Sequence, residues 1–168
     1  DAVMLSAETA VGEYPVEAVS IMNRIIERVE NDENYHMLVK SDHLDGQGTD
    51  ADAITSAARQ IAQFIDASAI VTFTSTGSTT IRASKVRPTV PILGLAPELS
   101  TSRRLVLVWG VHPVNTPGIK EFKEVVAVAV SVSAAEGFAQ KGDHIVITAG
   151  VPFGKPGTTN IIRIATVE

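Results

Sequence analysis

Residues 70–80 read IVTFTSTGSTT: an apolar strand that runs into a loop of small hydroxyl residues around Gly77, followed by the helical pattern Ile81-Arg82-Ala83-Ser84-Lys85. A buried strand that turns at once into a helix is a βα unit, and such a unit needs a sheet to sit in. The stretch also carries chemistry. Backbone N–H groups at a helix start attract anions, and Thr74, Ser75, Thr76, Ser78 and Thr79 would add hydroxyl donors. Capping of the helix is the alternative use, because Ser and Thr are preferred there.

The surrounding elements supply the sheet. Asp50 or Asp52 is placed to cap a helix from about Ala53 to Phe64, with Ile54, Ala57, Ala58, Ile61 and Ile65 as its apolar stripe. The helix after the hydroxyl loop must stop near Arg87, since Pro88 disfavours a helical residue before it. Residues 91–95 read as a second strand, 97–102 as a turn with a short helix starting at Thr101 or Ser102, and the apolar run 105–109 as a third strand. Residues 111–118, with two prolines and Gly118, read as a loop. Residues 119–137 mix valines, which favour strand, with alanines, which favour helix. Their length decides for a helix from about Phe122 to Phe138. His144–Ala149 and Ile161–Val167 complete five strands. The fold class expected is α/β: a three-layer α/β/α sandwich whose five-stranded, mostly parallel sheet ends in an antiparallel edge strand.

Ligands in such folds bind beyond the carboxyl ends of the strands. The hydroxyl loop lies at one such end. A second loop, residues 149–160, lies at another and carries three glycines and two prolines. Gly154, Lys155, Gly157, Thr158 and Thr159 are its candidates for closing over an anion. An ordinary connection to the edge strand is the alternative. The loop is not a Walker loop: Gly150 to Gly154 is one residue short, and Pro156 follows Lys155.

The first 49 residues carry ten acidic and three basic side chains, whereas residues 50–168 carry nine and eleven. Two units are expected. Ala2–Leu5 reads as the end of a strand, Ser6, Glu8 and Thr9 as the loop after it, and Pro15 to about Glu30 as an amphipathic helix. One strand and one helix are not a domain, so residues 1–30 read as the last βα unit of a larger, missing body. Residues 31–51 read as an acidic connector. Within it, His36 and His43 with Asp42 or Asp45 offer metal ligands whose geometry nothing fixes. Residues 52–168 form the main module.

Composition narrows the partners. There is no cysteine, which excludes disulfides and thiolate metal sites and points to an intracellular setting. No apolar run is long enough to span a bilayer as a helix, and no basic-then-apolar leader opens the sequence. Positive charges in the second part are scattered and aromatics few, which speaks against nucleic acid. No GxSxG elbow is present, and neither His112 nor His144 has a triad partner nearby in sequence. Glu121 and Glu124 suit a helix start electrostatically. Arg82, Lys85 and Arg87 form a small basic group near the first loop, and Arg103 and Arg104 are candidates for salt bridges between subunits.

Several segments together resemble one family. DAVMLSAETAVGEYPVEAV at residues 1–19 resembles the last strand, loop and helix of the catalytic barrel of pyruvate kinase. Arg87-Pro88 with Pro91-Ile92 resembles its RP..PI segment, and Trp109-Gly110-Val111 with Pro113 its RGV.P segment, Trp109 replacing the arginine. Gly142-Asp143 and Gly157–Asn160 resemble its GD and G.TN signatures, and PFGKPGTTN is similar to bacterial members. The resemblance implies a cytoplasmic, tetrameric enzyme that converts phosphoenolpyruvate and ADP to pyruvate and ATP with Mg2+ and K+. It implies that Ser6, Glu8 and Thr9, with Ala7 in place of a usual glycine, are peripheral contributors to an active site whose main residues lie outside this chain. Alone, the chain is not expected to turn over substrate. The resemblance further implies that residues 52–168 are the regulatory domain, where Thr72, Thr74, Ser75, Thr76, Gly77, Ser78 and Thr79 with the 154–159 loop enclose a phosphorylated effector. The usual SGRS core appears as Thr76-Gly77-Ser78-Thr79, without its arginine, so the identity of the anion stays open. A ligand-free subunit-interface module is the competing role.

Overall fold

The computed structural model describes residues 1–32, 34–35, 48–119, 121–153, 155 and 157–168. Contacts divide the chain into two units, Asp1–Asp45 and Gly46–Glu168. The metal candidates His36, Asp42, His43 and Asp45, most of the 31–51 connector, and Gly154 lie outside the described residues.

In the first unit a single helical turn, α1 (Ala7–Ala10), is followed by α2 (Pro15–Glu30), with Pro15 in the first helical turn as the sequence suggested. Residues 2–5 are not a strand. A strand is defined by its pairing partner, and the described part of this unit offers none. No residue of α2 is buried, and Val16, Val19, Ile21, Ile25 and Val29 are exposed.

The second unit is the expected sandwich. Its elements are α3 (Asp50–Phe64), β1 (Ala69–Phe73), α4 (Ser78–Lys85), β2 (Ile92–Ala96), α5 (Leu99–Leu105), β3 (Val111–Asn115), α6 (Phe122–Ala135), β4 (His144–Gly150) and β5 (Thr159–Thr166). The sheet order is β3-β2-β1-β4-β5; β4 and β5 pair antiparallel and all other pairs are parallel. Alternation along the strands divides the core. Val71, Leu93, Leu95, Ile145 and Ile147 face α6 through Val125 and Ala129. Ile70 and Val146 face the opposite layer, where they meet Ala58 and Ala62 of α3. On that side Thr72 is fully buried, its hydroxyl 2.7 Å from that of Thr80 in α4. Gly94 lets α4 approach: a Cβ there would sit 3.0 Å from Thr80 Cγ2.

Three expectations are corrected. The run 105–109 is not the third strand. Leu105 is buried as the last residue of α5, Val106 and Leu107 are exposed, and β3 is the segment 111–115 expected to be loop. Pro113 fits because β3 is an edge strand, where a missing N–H costs no ladder bond. Accordingly His112 sits in β3, with Nε2 2.9 Å from Glu136 Oε2. The short helix α5 begins at Leu99, earlier than Thr101. The cap of α3 is Thr49, whose hydroxyl accepts from Asp52 N while the Asp52 carboxylate accepts from Thr49 N, both at 3.3 Å.

Before β4, Asp143 Oδ2 accepts from Gln140 N at 2.8 Å and from Ser68 Oγ at 2.9 Å. The Gln140 backbone bond first, and the Ser68 hydroxyl second, hold its carboxyl below the ordinary aspartate range. A depressed folded-state pKa contributes stability above the unfolded value and loses it as pH falls through the folded value. Asp143→Asn is therefore expected to flatten the acid limb of the stability curve from about pH 4 downward. Urea midpoints measured across that range check this; parallel acid limbs in the two proteins would contradict it.

Candidate anion-binding site

The strand order places a topological switch between β1 and β4. From β1 the chain moves outward through β2 to β3, then returns to the other side of β1. Loops leaving adjacent strands on either side of such a point diverge and leave a crevice at the carboxyl end. An open cavity of about 150 Å3 lies there.

One wall is the hydroxyl loop. Thr74, Ser75, Thr76, Ser78 and Thr79 line the cavity. Gly77 does not line it but shapes it: at φ 93° it takes the left-handed conformation as N-cap of α4. Its N–H donates to Thr74 Oγ1 at 2.9 Å, closing the turn. The first intrahelical bond of α4 is Ile81 N to Gly77 O, so the N–H groups of Ser78, Thr79 and Thr80 lack helical acceptors. This is the anion-attracting end of a helix dipole. Thr72, a candidate by sequence, is spent in the core on Thr80 and on the Leu93 carbonyl at 3.3 Å.

The second wall is the closing loop. Gly150, Phe153, Lys155, Gly157, Thr158 and Thr159 line the same cavity. Its ends are fixed by Asn160, whose side chain accepts from Val151 N at 3.0 Å and donates to Val151 O at 2.8 Å. Thr79 and Thr159, eighty residues apart, join the two loops through hydroxyls 2.6 Å apart, both buried. The two loops that the sequence set facing one another thus share one cavity.

The third wall was not foreseen. Thr116, Pro117, Gly118 and Ile119 follow β3, and Leu95 and Pro97 come from the end of β2. Placing the third strand at 105–109 hid this contribution. Pro113 and Pro117 flanking Val114-Asn115 were the available signal for an edge strand that stops there. Among the described lining residues the charged side chain is Lys155, and none is acidic. Hydroxyls, free helix N–H groups and one ammonium facing an apolar side of Phe73, Leu95, Phe153 and Ile119 can hold a small anion attached to a less polar body.

Ser6, Glu8 and Thr9 belong to the first unit. Glu8 Oε2 accepts from Ser6 N at 3.2 Å, and Thr9 Oγ1 donates to Ser6 O at 3.2 Å. Backbone hydrogen bonds lower the carboxyl pKa of Glu8. This is local capping chemistry in an exposed turn. Among the described residues no group of three or more His, Asp or Glu side chains is arranged to hold a metal ion, and no helix is long and apolar enough to cross a membrane.

The family profile described as "Pyruvate kinase, alpha/beta domain" matches residues 52–165. The chain belongs to the pyruvate kinase family. It is 43% identical over 167 residues to a pyruvate kinase of Methylorubrum extorquens, covering 99% of this chain and 35% of that protein. It is 38% identical to one of Clostridium acetobutylicum, covering all of this chain and 36% of that protein. The crystal structure of a pyruvate kinase from Cryptosporidium parvum superposes with a TM-score of 0.86 at 28% identity, over 99% of this chain and 33% of that one. The chain thus spans about a third of the length of these relatives. The segment matched as the pyruvate kinase alpha/beta domain includes both loops of the cavity.

Proposed function

We propose that this chain is the C-terminal regulatory and assembly part of a pyruvate kinase, and that its cavity takes a phosphorylated small-molecule effector. The observation that carries the reading is the convergence of the 74–79 and 155–159 loops on one cavity at the N-terminus of α4, with no acidic side chain among its described lining residues. The whole enzyme would convert phosphoenolpyruvate and ADP to pyruvate and ATP in the cytoplasm, as a homotetramer. Residues 1–30 would complete its catalytic barrel, 31–51 would connect, and 52–168 would regulate. The exposed apolar side of α2 supports this, since it needs a covering body. Ser6, Glu8 and Thr9 would lie at the periphery of the active site. Mg2+ and K+ would serve the barrel; the described residues bring together no group of three or more His, Asp or Glu side chains, and no step is assigned to either ion.

Steady-state kinetics of the whole enzyme test this. Added sugar phosphates are expected to shift the half-saturating phosphoenolpyruvate concentration, and Lys155→Gln to weaken that response while leaving basal turnover unchanged. A phosphate-independent enzyme would favour the ligand-free interface module, which draws on the half-exposed Ile164 of the open edge strand β5.

A further inference from the structure

We infer that α5 is the platform that orients the anion loop, with Arg104 as its positioning residue; this rests on the reading of the cavity as a phosphate site. Arg104 Nη2 donates to the Thr76 carbonyl at 3.1 Å and reaches Thr101 Oγ1 at 3.5 Å. Thr101, itself buried, donates its hydroxyl to the Ser75 carbonyl at 3.1 Å. Two successive loop carbonyls are therefore held by α5, although no residue of α5 lines the cavity.

Peptide geometry turns this into an effect on the site. In a trans peptide the carbonyl of one residue and the N–H of the next point to opposite sides. Holding the Ser75 and Thr76 carbonyls toward α5 aims the Thr76 and Gly77 N–H groups the other way. Gly77 N–H is taken by Thr74 Oγ1, which fixes the turn. Thr76 N–H is thereby turned to the side away from α5, in a loop whose residues Thr76, Ser78 and Thr79 line the cavity. Arg104 adds a second effect. The 74–79 loop contains no cation, and a guanidinium bonded to the Thr76 carbonyl polarises the peptide whose N–H is Gly77's, which strengthens the Gly77–Thr74 bond that fixes the turn.

Calorimetric titration with glucose 6-phosphate and with inorganic phosphate tests the assignment, with amide shifts of Ser78 and Thr79 followed by NMR. Arg104→Met removes the donor and the charge while keeping most of the length, and Arg104→Lys keeps a charged donor of similar reach. R104M is expected to weaken both probes about tenfold or more, and R104K to stay within about threefold of the wild type. All three proteins should melt within about 2 °C of one another, since Arg104 is exposed. The ligand-induced Ser78 and Thr79 shifts should persist in R104K and shrink in R104M, which a purely structural role would not produce. Wild-type affinity in R104M, or R104K as weak as R104M, would overturn the positioning role. A wild-type chain that binds neither probe would overturn the phosphate reading beneath it, an outcome separate from the first two.

Discussion

Leu105→Ala is expected to destabilise the protein by about 2–5 kcal/mol, whereas Leu107→Ala, two residues on, should change stability by no more than about 0.5 kcal/mol. In a strand these positions share a face, so both truncations would cost alike. At the end of α5 they part company: Leu105 is 1% exposed and Leu107 is 70%. Leu105 also sits where it touches the site. A Cβ on Gly77 would meet Leu105 Cδ2 at 3.4 Å, and a Cβ on Gly94 would meet Leu105 Cδ1 at the same distance. The side chain fills the space under the hydroxyl loop and against β2, and the cavity left by its removal adds to the lost transfer free energy. Urea denaturation of the two variants reads the difference. Equal losses would restore 105–109 as a strand.

The second large effect is expected at the mouth of the cavity. Gly150→Ala should cost about 1–3 kcal/mol of stability and weaken binding of glucose 6-phosphate on the order of tenfold. Gly150 ends β4 where the ladder with β5 shifts register. A Cβ there would lie 2.8 Å from both the carbonyl and the hydroxyl oxygen of Thr158. Backbone cannot move aside as a flexible side chain does, so the closing loop must shift, and Thr158 and Thr159 with it. Gly118→Ala is the control. Gly118 lines the same cavity, but its added Cβ would meet Pro97 Cβ at 3.8 Å, an ordinary contact. Calorimetry and thermal melts on both variants separate a steric effect at Thr158 from a general intolerance of the cavity rim. Equal behaviour of the two would contradict the account.

Legibility in the sequence followed the locality of the signal. The β1–loop–α4 unit was readable because strand, glycine and helix are contiguous, and Pro88 limits the helix; α4 ends at Lys85 and Arg87 takes φ 45°. The antiparallel edge was readable because no helix separates β4 from β5. Length favours a helix for α6 against its valines, and the helix runs Phe122–Ala135, three residues short of the expected end at Phe138. The third strand misled because an unbroken apolar run reads alike as a buried strand and as the end of a helix. Trp109 adds to the ambiguity: it lies under Arg87, whose guanidinium carbon is 4.4 Å from the ring centroid, and not in the sheet. Long-range pairs were not readable at all. Nothing local in Thr79 points to Thr159, nothing in Arg104 to Thr76, and nothing in Gly94 to the approach of Thr80.

The cavity between β1 and β4 is proposed to hold a phosphate-bearing ligand. Amide hydrogen exchange on the chain with and without saturating glucose 6-phosphate tests it most directly. Slowed exchange is expected at residues 74–79 and 157–159, with Ser75 and Ser78 among the protected amides, and no change along α2. Protection confined to other residues, with Ser75 and Ser78 exchanging as fast as in the free protein, would contradict it.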